Sequence, residues 1–435
     1  MKRILAVPAR VLEFLRVAPL QTSLILWFAL FVAVGIKSLV YPDIHSVYPC
    51  YEGAARLWQD SRDLYDLKTT GFIYRYGPVF ALSMVPLAAL PSALGSLLWN
   101  WLNFGLFFAT LWKLVQCVLP GDWTVRHRAL FLSLALLGTT RTIWSGQSNL
   151  LVFSLVALAT LAIQERRWWG AAFLLAISVQ IKVWPLAAAL LLMAYWPRKL
   201  TLRFLAATLV IAAIPLLTKP WGFVWRQYVG WYDLLVGPAQ IRHTYRDAWT
   251  LWEIIHEPVN AKVYVFLQLL SGAAVLGLCL WQLRRGLSRQ RRLLFVLVCW
   301  AAWQMTFGPA TERTTFGLIA PLSAWGLATA FQQRRGRVLM TLAFALMTCG
   351  NFGVIERALM DCAPIVLAVH PLGAMLFLAW FLDWNHHATD GLPARCPATV
   401  DAASPALRRW PPRWLRSRVI LHAASNDTIH TNPKR

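Results

Sequence analysis

Carboxylates are scarce in this chain, and one stretch concentrates them. Residues 41–78 hold five of the 19 acidic residues of a 435-residue sequence: Asp43, Glu52, Asp60, Asp63 and Asp66. Carboxylates held at a site can act as general bases. A run of charges is more often a solvated connector, but the apolar spacing over 47–64 also suits a helix lying on a membrane surface. We therefore expect a loop outside the cytoplasm that carries part of an active site.

Polar residues interrupt the apolar runs at two further places. Arg141 and the SGQSN sequence of Ser145–Asn149, which includes Gln147 and Asn149, separate two apolar runs. Amides at such a position can simply cap helices. Lys182 stands just before Pro185. A lysine at this level either snorkels to the membrane interface or points into a cavity, where it could hold a phosphate.

Cationic and aromatic residues are mixed in the long polar segment 219–262. It contains Arg242, His243 and Arg246 together with several tryptophans. Tryptophans there can be membrane anchors, but the mixture also suits binding a phosphate and stacking on a sugar ring. Glu312 and Arg313 precede a later apolar run. They form either a mutual ion pair or the ionisable edge of a membrane cavity.

The composition indicates a membrane protein. Hydrophobic residues make up 58% of the chain and charged residues 14%, whereas soluble domains are about 25% charged. Apolar runs long enough for membrane helices are spread from Gln21 to Trp384, and none shows the alternation of a membrane barrel strand. The net charge of +23 does not indicate nucleic-acid binding, because Lys and Arg lie in short clusters between apolar runs. The sequence therefore predicts an all-α, polytopic membrane protein.

The basic clusters predict the orientation of the chain. They lie before the first apolar run, at 126–128, 166–167, 198–203, 284–292 and 334–337, and in the tail. By the positive-inside rule these are cytoplasmic. We therefore expect a plasma (inner) membrane protein with both termini in the cytoplasm and with 42–77 and 219–262 as outer loops. Residues 1–384 would form the membrane domain, and 385–435 a basic, disordered tail against the lipid surface.

One segment does not fit a simple alternation of loops and spans. Residues 76–120 contain two hydrophobic parts, but they connect a predicted outer loop to a predicted cytoplasmic cluster and must therefore cross the membrane an odd number of times, here once. Residues 77–91 are short and contain Pro78 and Pro86, so we interpret them as a membrane-dipping helix and 96–119 as the crossing. This gives about twelve crossings in total.

The order of several motifs resembles that of a known family. The sequences YRYGPVFALSMVPLAALP, SGQSNLLVFSLVALATLAIQ and AISVQIKVWPLAAALLL follow a long first loop, as in glycosyltransferase family 87, also called DUF2029. The resemblance covers roughly residues 21–199. It implies a GT-C-like fold with a long first outer loop. It also implies a hexosyltransferase that moves a sugar such as mannose from a polyprenyl-phosphate donor to a lipid or glycan acceptor outside the cytoplasm. No cofactor or metal ion is implied.

The sequence departs from that family where the catalytic base is usually found. Family members carry an acidic residue shortly after the first span, and aligning this chain puts that position near 45–47, where no residue is acidic. A shift in register would make Asp43 the base. Otherwise His45 or Glu52 takes the role, or the chemistry has been lost. Sugar transfer needs a base and cations for the departing phosphate. The residues expected to bind the donor are Arg75, Arg141, Gln147, Asn149, Lys182, Arg242, His243, Arg246, Glu312 and Arg313.

Two other classes of protein remain open from the sequence. A secondary transporter is also polytopic, but its sites lie near the middle of the membrane, often between repeated halves. This chain shows no internal repeat, and its ionisable residues lie at the ends of spans. A non-catalytic membrane scaffold or lipid-binding protein is the second alternative, which the missing acidic residue keeps open.

Overall fold

The apolar runs of the sequence form helices that glycine, proline and polar residues interrupt. The computed structural model describes residues 19–66, 72–121, 123–237, 246–255, 260–308, 311–351 and 369–387. Within these ranges there are sixteen α-helices and no β-strand. In chain order they are α1 Pro19–Val40, α2 Tyr48–Gln59, α3 Pro78–Ala88, α4 Ser92–Cys117, α5 Val125–Trp144, α6 Asn149–Gln164, α7 Trp168–Ile181, α8 Leu186–Tyr195, α9 Pro197–Ala213, α10 Trp221–Val236, α11 Ala248–Ile255, α12 Ala261–Arg284, α13 Arg289–Phe307, α14 Ala320–Gln333, α15 Arg337–Thr348 and α16 Val369–His387. Short 3₁₀ helices occupy Ile214–Leu217, Arg313–Leu318 and Cys349–Asn351.

Four helical segments of the described residues are long and apolar enough to cross a membrane. They are Pro19–Val40, Ser92–Cys117, Pro197–Leu217 and Ala261–Arg284. Five shorter apolar helices accompany them: α3, α6, α7, α8 and α15. The predicted all-helical membrane class is confirmed. The predicted count of about twelve crossings stays a prediction, and most of the predicted tail lies outside the described residues.

Helix α3 corresponds to the segment interpreted as membrane-dipping. It has 11 residues with Pro86 inside it, which gives a length of about 16 Å, against about 30 Å for a bilayer core. Its start packs tightly on the end of α7, where the backbone N–H of Gly77 donates to the carbonyl of Ile181 at 3.3 Å. A Cβ at position 77 would lie 2.1 Å from the carbonyl oxygen of Gln180. Only glycine allows this approach, which brings residues 75–77 beside Lys182.

Two breaks between helices expose polar groups at one end of the bundle. Between α5 and α6, Gly146 has a φ of +65°, a conformation that glycine adopts without strain. Between α7 and α8, Lys182 is extended, with φ −140° and ψ 139°, because the helix ends before Pro185. We call the end of the bundle that contains 145–149, 182–185 and 311–315 the polar end.

Arginines gather at the opposite end, which we call the basic end. In the first turn of α13, Arg289 donates to the carbonyl of Gln164 at 3.3 Å. Arg291 donates to the side chain of Asn385 at 3.0 Å, near the end of α16. The start of α16 lies at the polar end instead, where the ring of His370 is 5.2 Å from that of Phe316. Helix α16 therefore runs from the polar end of the bundle to the basic end.

Candidate functional site

A cavity of about 280 Å³ opens at the polar end. Segments that are far apart in the sequence form it: the start of α2, the residues before α3, the α5–α6 and α7–α8 breaks, the end of α10 and the 3₁₀ helix near 313. Five residues that the sequence predicts to bind a donor line its wall: Arg75, Gln147, Asn149, Lys182 and Glu312. Tyr51, Tyr76 and Trp184 supply aromatic surface. The cavity thus combines charged, amide and aromatic groups.

Lys182 lies between an amide and an aromatic ring of the cavity wall. Its Nζ donates a hydrogen bond of 2.7 Å to Oδ1 of Asn149 and stands 4.9 Å from the centre of the Tyr76 ring. Burial lowers the pKa of Lys182 to about 8; the charge of Glu312 opposes this effect, and the charge of Arg75 adds to it. An anion in the cavity would favour the ammonium form, because opposite charge stabilises it.

Arg75 and Glu312 form an ion pair across the cavity mouth. Nη1 of Arg75 is 3.2 Å from Oε1 of Glu312, and the side chains are 25% and 35% exposed. Pairs this exposed contribute only about 0–1 kcal/mol to stability. The backbone N–H of Glu312 donates a capping hydrogen bond of 3.1 Å to Oγ1 of Thr315, which fixes the start of the 3₁₀ helix. Glu312 is the one carboxylate among the described residues of the cavity wall.

Three further arginines lie close to this pair. The backbone N–H of Arg246 donates to the carbonyl of Thr311 at 2.7 Å, which places it beside Glu312. Burial, followed by the charges of Arg141 and Arg246, lowers the pKa of Arg313 to about 10. Arg141, Arg246 and Arg313 are therefore near enough to repel one another, next to the cavity wall.

Hydrogen bonds between tyrosines and the α5–α6 break hold the cavity wall together. The hydroxyls of Tyr51 and Tyr76 are 3.0 Å apart, and the backbone N–H of Ser148 donates to the Tyr51 hydroxyl at 3.1 Å. The clustering of Tyr48, Tyr51, Tyr74 and Tyr76 around the acidic stretch was the available signal for a shared wall.

The three residues predicted as possible bases do not line the cavity. Asp43 and His45 are exposed in the segment before α2, and His45 has a left-handed φ of +49°. Glu52 is 8% exposed, forms an ion pair with Arg56 and accepts a 2.7 Å hydrogen bond from Ser92. The face of α2 that carries Glu52 therefore packs toward α4. The predicted residues Arg242 and His243 lie outside the described part of the chain.

Lys37, near the end of α1, fixes the segment before α2. Its Nζ donates to the carbonyls of His45 at 3.1 Å and of Trp144 at 2.9 Å. The backbone N–H of Val47 adds a 3.0 Å bond to the carbonyl of Ser145. Together these bonds tie the segment 45–47 to the break that carries Gln147 and Asn149.

Replacing Lys37 with methionine should lower the midpoint of thermal unfolding. Two partly buried carbonyls would lose their donor, at up to about 1–3 kcal/mol for each group left unsatisfied. The measurement is thermal unfolding of the purified protein in detergent. Lys113→Met is the matched control, because Lys113 is exposed on α4. Equal midpoints for Lys37→Met and the wild type would show that the two hydrogen bonds of Lys37 do not stabilise the fold.

The fold and the cavity define a class of protein: an all-helical membrane protein with a polar, cation-lined pocket at one end of its helices. Residues 74–309 match the model of glycosyltransferase family 87, which is more than half of the chain. The chain belongs to glycosyltransferase family 87, as its motifs predict, and the family implies a membrane glycosyltransferase. The matched range ends further along the chain than the expected 21–199, and it begins at residue 74, after the last acidic residue of the stretch, Asp66. No curated protein matches the chain.

Proposed function

We propose that this protein transfers a hexose, with mannose the first to test, from a polyprenyl-phosphate-sugar donor to a lipid or glycan acceptor. The observation that carries this proposal is the position of Lys182 and Arg75 on one cavity wall, at the ends of the short apolar helices α3, α6, α7 and α8. Charge-assisted hydrogen bonds from such cations suit a phosphate. The nearby rings of Tyr76 and Trp184 suit the apolar face of a sugar.

The cavity supplies the groups that this transfer needs. The carboxylate of Glu312 takes the proton of the acceptor hydroxyl, whose oxygen attacks the anomeric carbon of the sugar. The bond from that carbon to the phosphate oxygen breaks, and the negative charge that develops on the lipid phosphate is stabilised by Lys182 and Arg75. Glu312 replaces Asp43, His45 and Glu52 as our preferred base because it lies on the wall. The proposed reaction uses no cofactor or metal ion.

The cavity would open on the outer face of the plasma (inner) membrane. The arginines at the start of α13 mark the basic end, which the positive-inside rule assigns to the cytoplasm. The cavity lies at the other ends of the helices. With basic residues before α1 and throughout the tail, both termini would be cytoplasmic.

The direct test is transfer of labelled mannose by the purified full-length protein in lipid nanodiscs. The probe is polyprenyl-phosphate-mannose, offered with an extract of membrane lipids and glycans as acceptors. We expect labelled product from this donor and none from a nucleotide sugar. Uptake of free sugar into sealed vesicles, or donor binding without any product, would instead favour the transporter and the lipid-binding alternatives respectively.

Donor affinity should fall as the pH rises above about 8. Lys182 carries its charge below its pKa of about 8, and the phosphate binds the charged form. The affinity for the donor should therefore be highest below that pH, and it should decrease by up to about tenfold for each pH unit above it. The measurement is binding of polyprenyl-phosphate-mannose between pH 6.5 and 9.5, a range chosen to bracket a pKa of about 8. Arginine stays protonated over this range, so Lys182→Arg should remove the pH dependence of donor affinity. An unchanged pH dependence in that variant would show that a group other than Lys182 causes it.

A further inference from the structure

A second cavity, of about 300 Å³, lies between α8, α12 and α13 and is apolar. We call it the apolar groove and define it by Leu190, Leu191, Leu269, Gly272, Leu276 and Trp303. Leu190 and Leu269 at its edge are 54% and 69% exposed. Helix α12 is one of the segments suited to a bilayer, so this edge would face lipid chains.

The polar groups near the apolar groove are engaged inside the protein. The indole N–H of Trp303 donates to Oγ of Ser271 at 3.0 Å, and the amide of Gln268 donates to the carbonyl of Phe307. The groove therefore offers mainly dispersion and aromatic contacts to an occupant. Such a surface suits a hydrocarbon chain.

A pair of stacked tryptophans separates the apolar groove from the polar cavity. Trp184 lines the polar cavity and Trp300 lines the groove. Their ring centres are 5.6 Å apart, with an angle of 28° between the planes. The two spaces therefore share one aromatic wall, which begins two residues beyond Lys182.

Trp300 also carries a donor that the described residues do not use. The residue is fully buried, and its indole N–H has no hydrogen-bond partner among the described residues. A buried N–H without an acceptor is unfavourable. An oxygen atom of a ligand at the junction of the two spaces would satisfy it.

We propose that the apolar groove holds the isoprenoid chain of the lipid-phosphate donor and that the Trp184–Trp300 pair lies between the bound phosphate and the chain. This inference rests on the proposed function. A donor whose phosphate binds Lys182 has a chain that must leave the polar cavity, and burial of that chain in an apolar groove is favourable. The shared aromatic wall places this apolar groove next to the polar cavity.

Two glycines of α12 provide a matched pair of variants. A Cβ at Gly272 would meet Trp303 at 3.7 Å, an ordinary contact, whereas a Cβ at Gly277 would have nothing within 4 Å. Leucine at 272 would fill the groove without a backbone clash. Leucine at 277 would add the same volume to the same helix outside the groove.

The test compares mannose transfer from a long polyprenyl-phosphate donor and from a donor with a chain of two isoprene units. Gly272→Leu should raise KM for the long donor about tenfold, which corresponds to about 1.4 kcal/mol, and leave KM for the short donor unchanged. Gly277→Leu should alter neither. Equal KM values for the long donor in both variants would overturn the inference.

Photolabelling of the wild-type protein separates this inference from the proposed function. A polyprenyl phosphate with a diazirine in its third isoprene unit should label α12 or α13, and unlabelled polyprenyl phosphate should compete. Labelling that phosphatidylcholine suppresses equally would assign the groove to bilayer lipid and overturn the inference. Labelling of the groove without any sugar transfer would support the groove as the site of the lipid chain but contradict the proposed transferase activity. If Gly272→Leu loses activity with both donors, its KM values say nothing about the groove, and the photolabelling of the wild type decides the inference.

Discussion

Replacing Lys182 with methionine is expected to lower kcat/KM for sugar transfer by about 10²–10³-fold, the range seen when one donor to a developing anion is removed. Methionine keeps the length of the side chain but removes the charge that faces the cavity. The loss should include weaker binding of polyprenyl-phosphate-mannose, because the ammonium contacts the phosphate in the ground state as well. The measurements are steady-state kinetics and donor binding on protein in nanodiscs.

Lys199→Met is the matched control for this variant. Lys199 is exposed at the start of α9, at the basic end, and its removal should leave both measurements at the wild-type value. Lys182→Arg should recover part of the activity because it restores the charge with a different shape. Wild-type donor binding by Lys182→Met would return this lysine to a structural role as the partner of Asn149.

Glu312→Gln should reduce transfer by about 10²–10⁴-fold, the usual contribution of a general base, while donor binding stays within about threefold of the wild type. Glutamine has the same shape and keeps the backbone bond to Thr315, so the 3₁₀ helix should persist. The measurement is single-turnover transfer with saturating donor, which isolates the chemical step from binding.

Asp43→Asn provides the comparison for that result. Asp43 is exposed and does not line the cavity, so we expect Asp43→Asn to retain most of its activity. Full activity of Glu312→Gln together with loss in Asp43→Asn would assign the base to the segment before α2. Loss in both would mean that this segment contacts the acceptor.

The membrane class and the helical fold could be predicted because they depend on composition and on the length of apolar runs. The subdivision of those runs was harder to predict. The end of α7 and the start of α8 depend on Pro185, and the approach of α3 to α7 depends on the absence of a side chain at Gly77. Such contacts join residues about a hundred positions apart, and no local pattern reveals them.

The sequence predicted part of the site, because alternating topology places every second loop at the same end. Arg75, Asn149 and Lys182 could be assigned to one region on that basis, and the structure brings them together. The expectation for Glu52 depended on which face of α2 turns inward. Packing of that helix against α4 places Glu52 beside Ser92 instead.

The aromatic wall of the cavity could not be predicted in the same way. Tyrosine and tryptophan at the level of the membrane interface occur in most membrane proteins as anchors, so their types carry little information. Only the spatial arrangement distinguishes Trp184, which stacks on a tryptophan more than a hundred residues further along.

The most direct measurement is single-turnover transfer by the purified full-length protein from polyprenyl-phosphate-[¹⁴C]mannose, run in parallel with the Lys182→Met, Glu312→Gln and Lys199→Met proteins. We predict that the label leaves the lipid phosphate and appears in a second lipid or glycan with the wild type and Lys199→Met. We predict at least about 100-fold slower formation of this product with the other two variants. Equal product from all four proteins would contradict a catalytic cavity at the polar end.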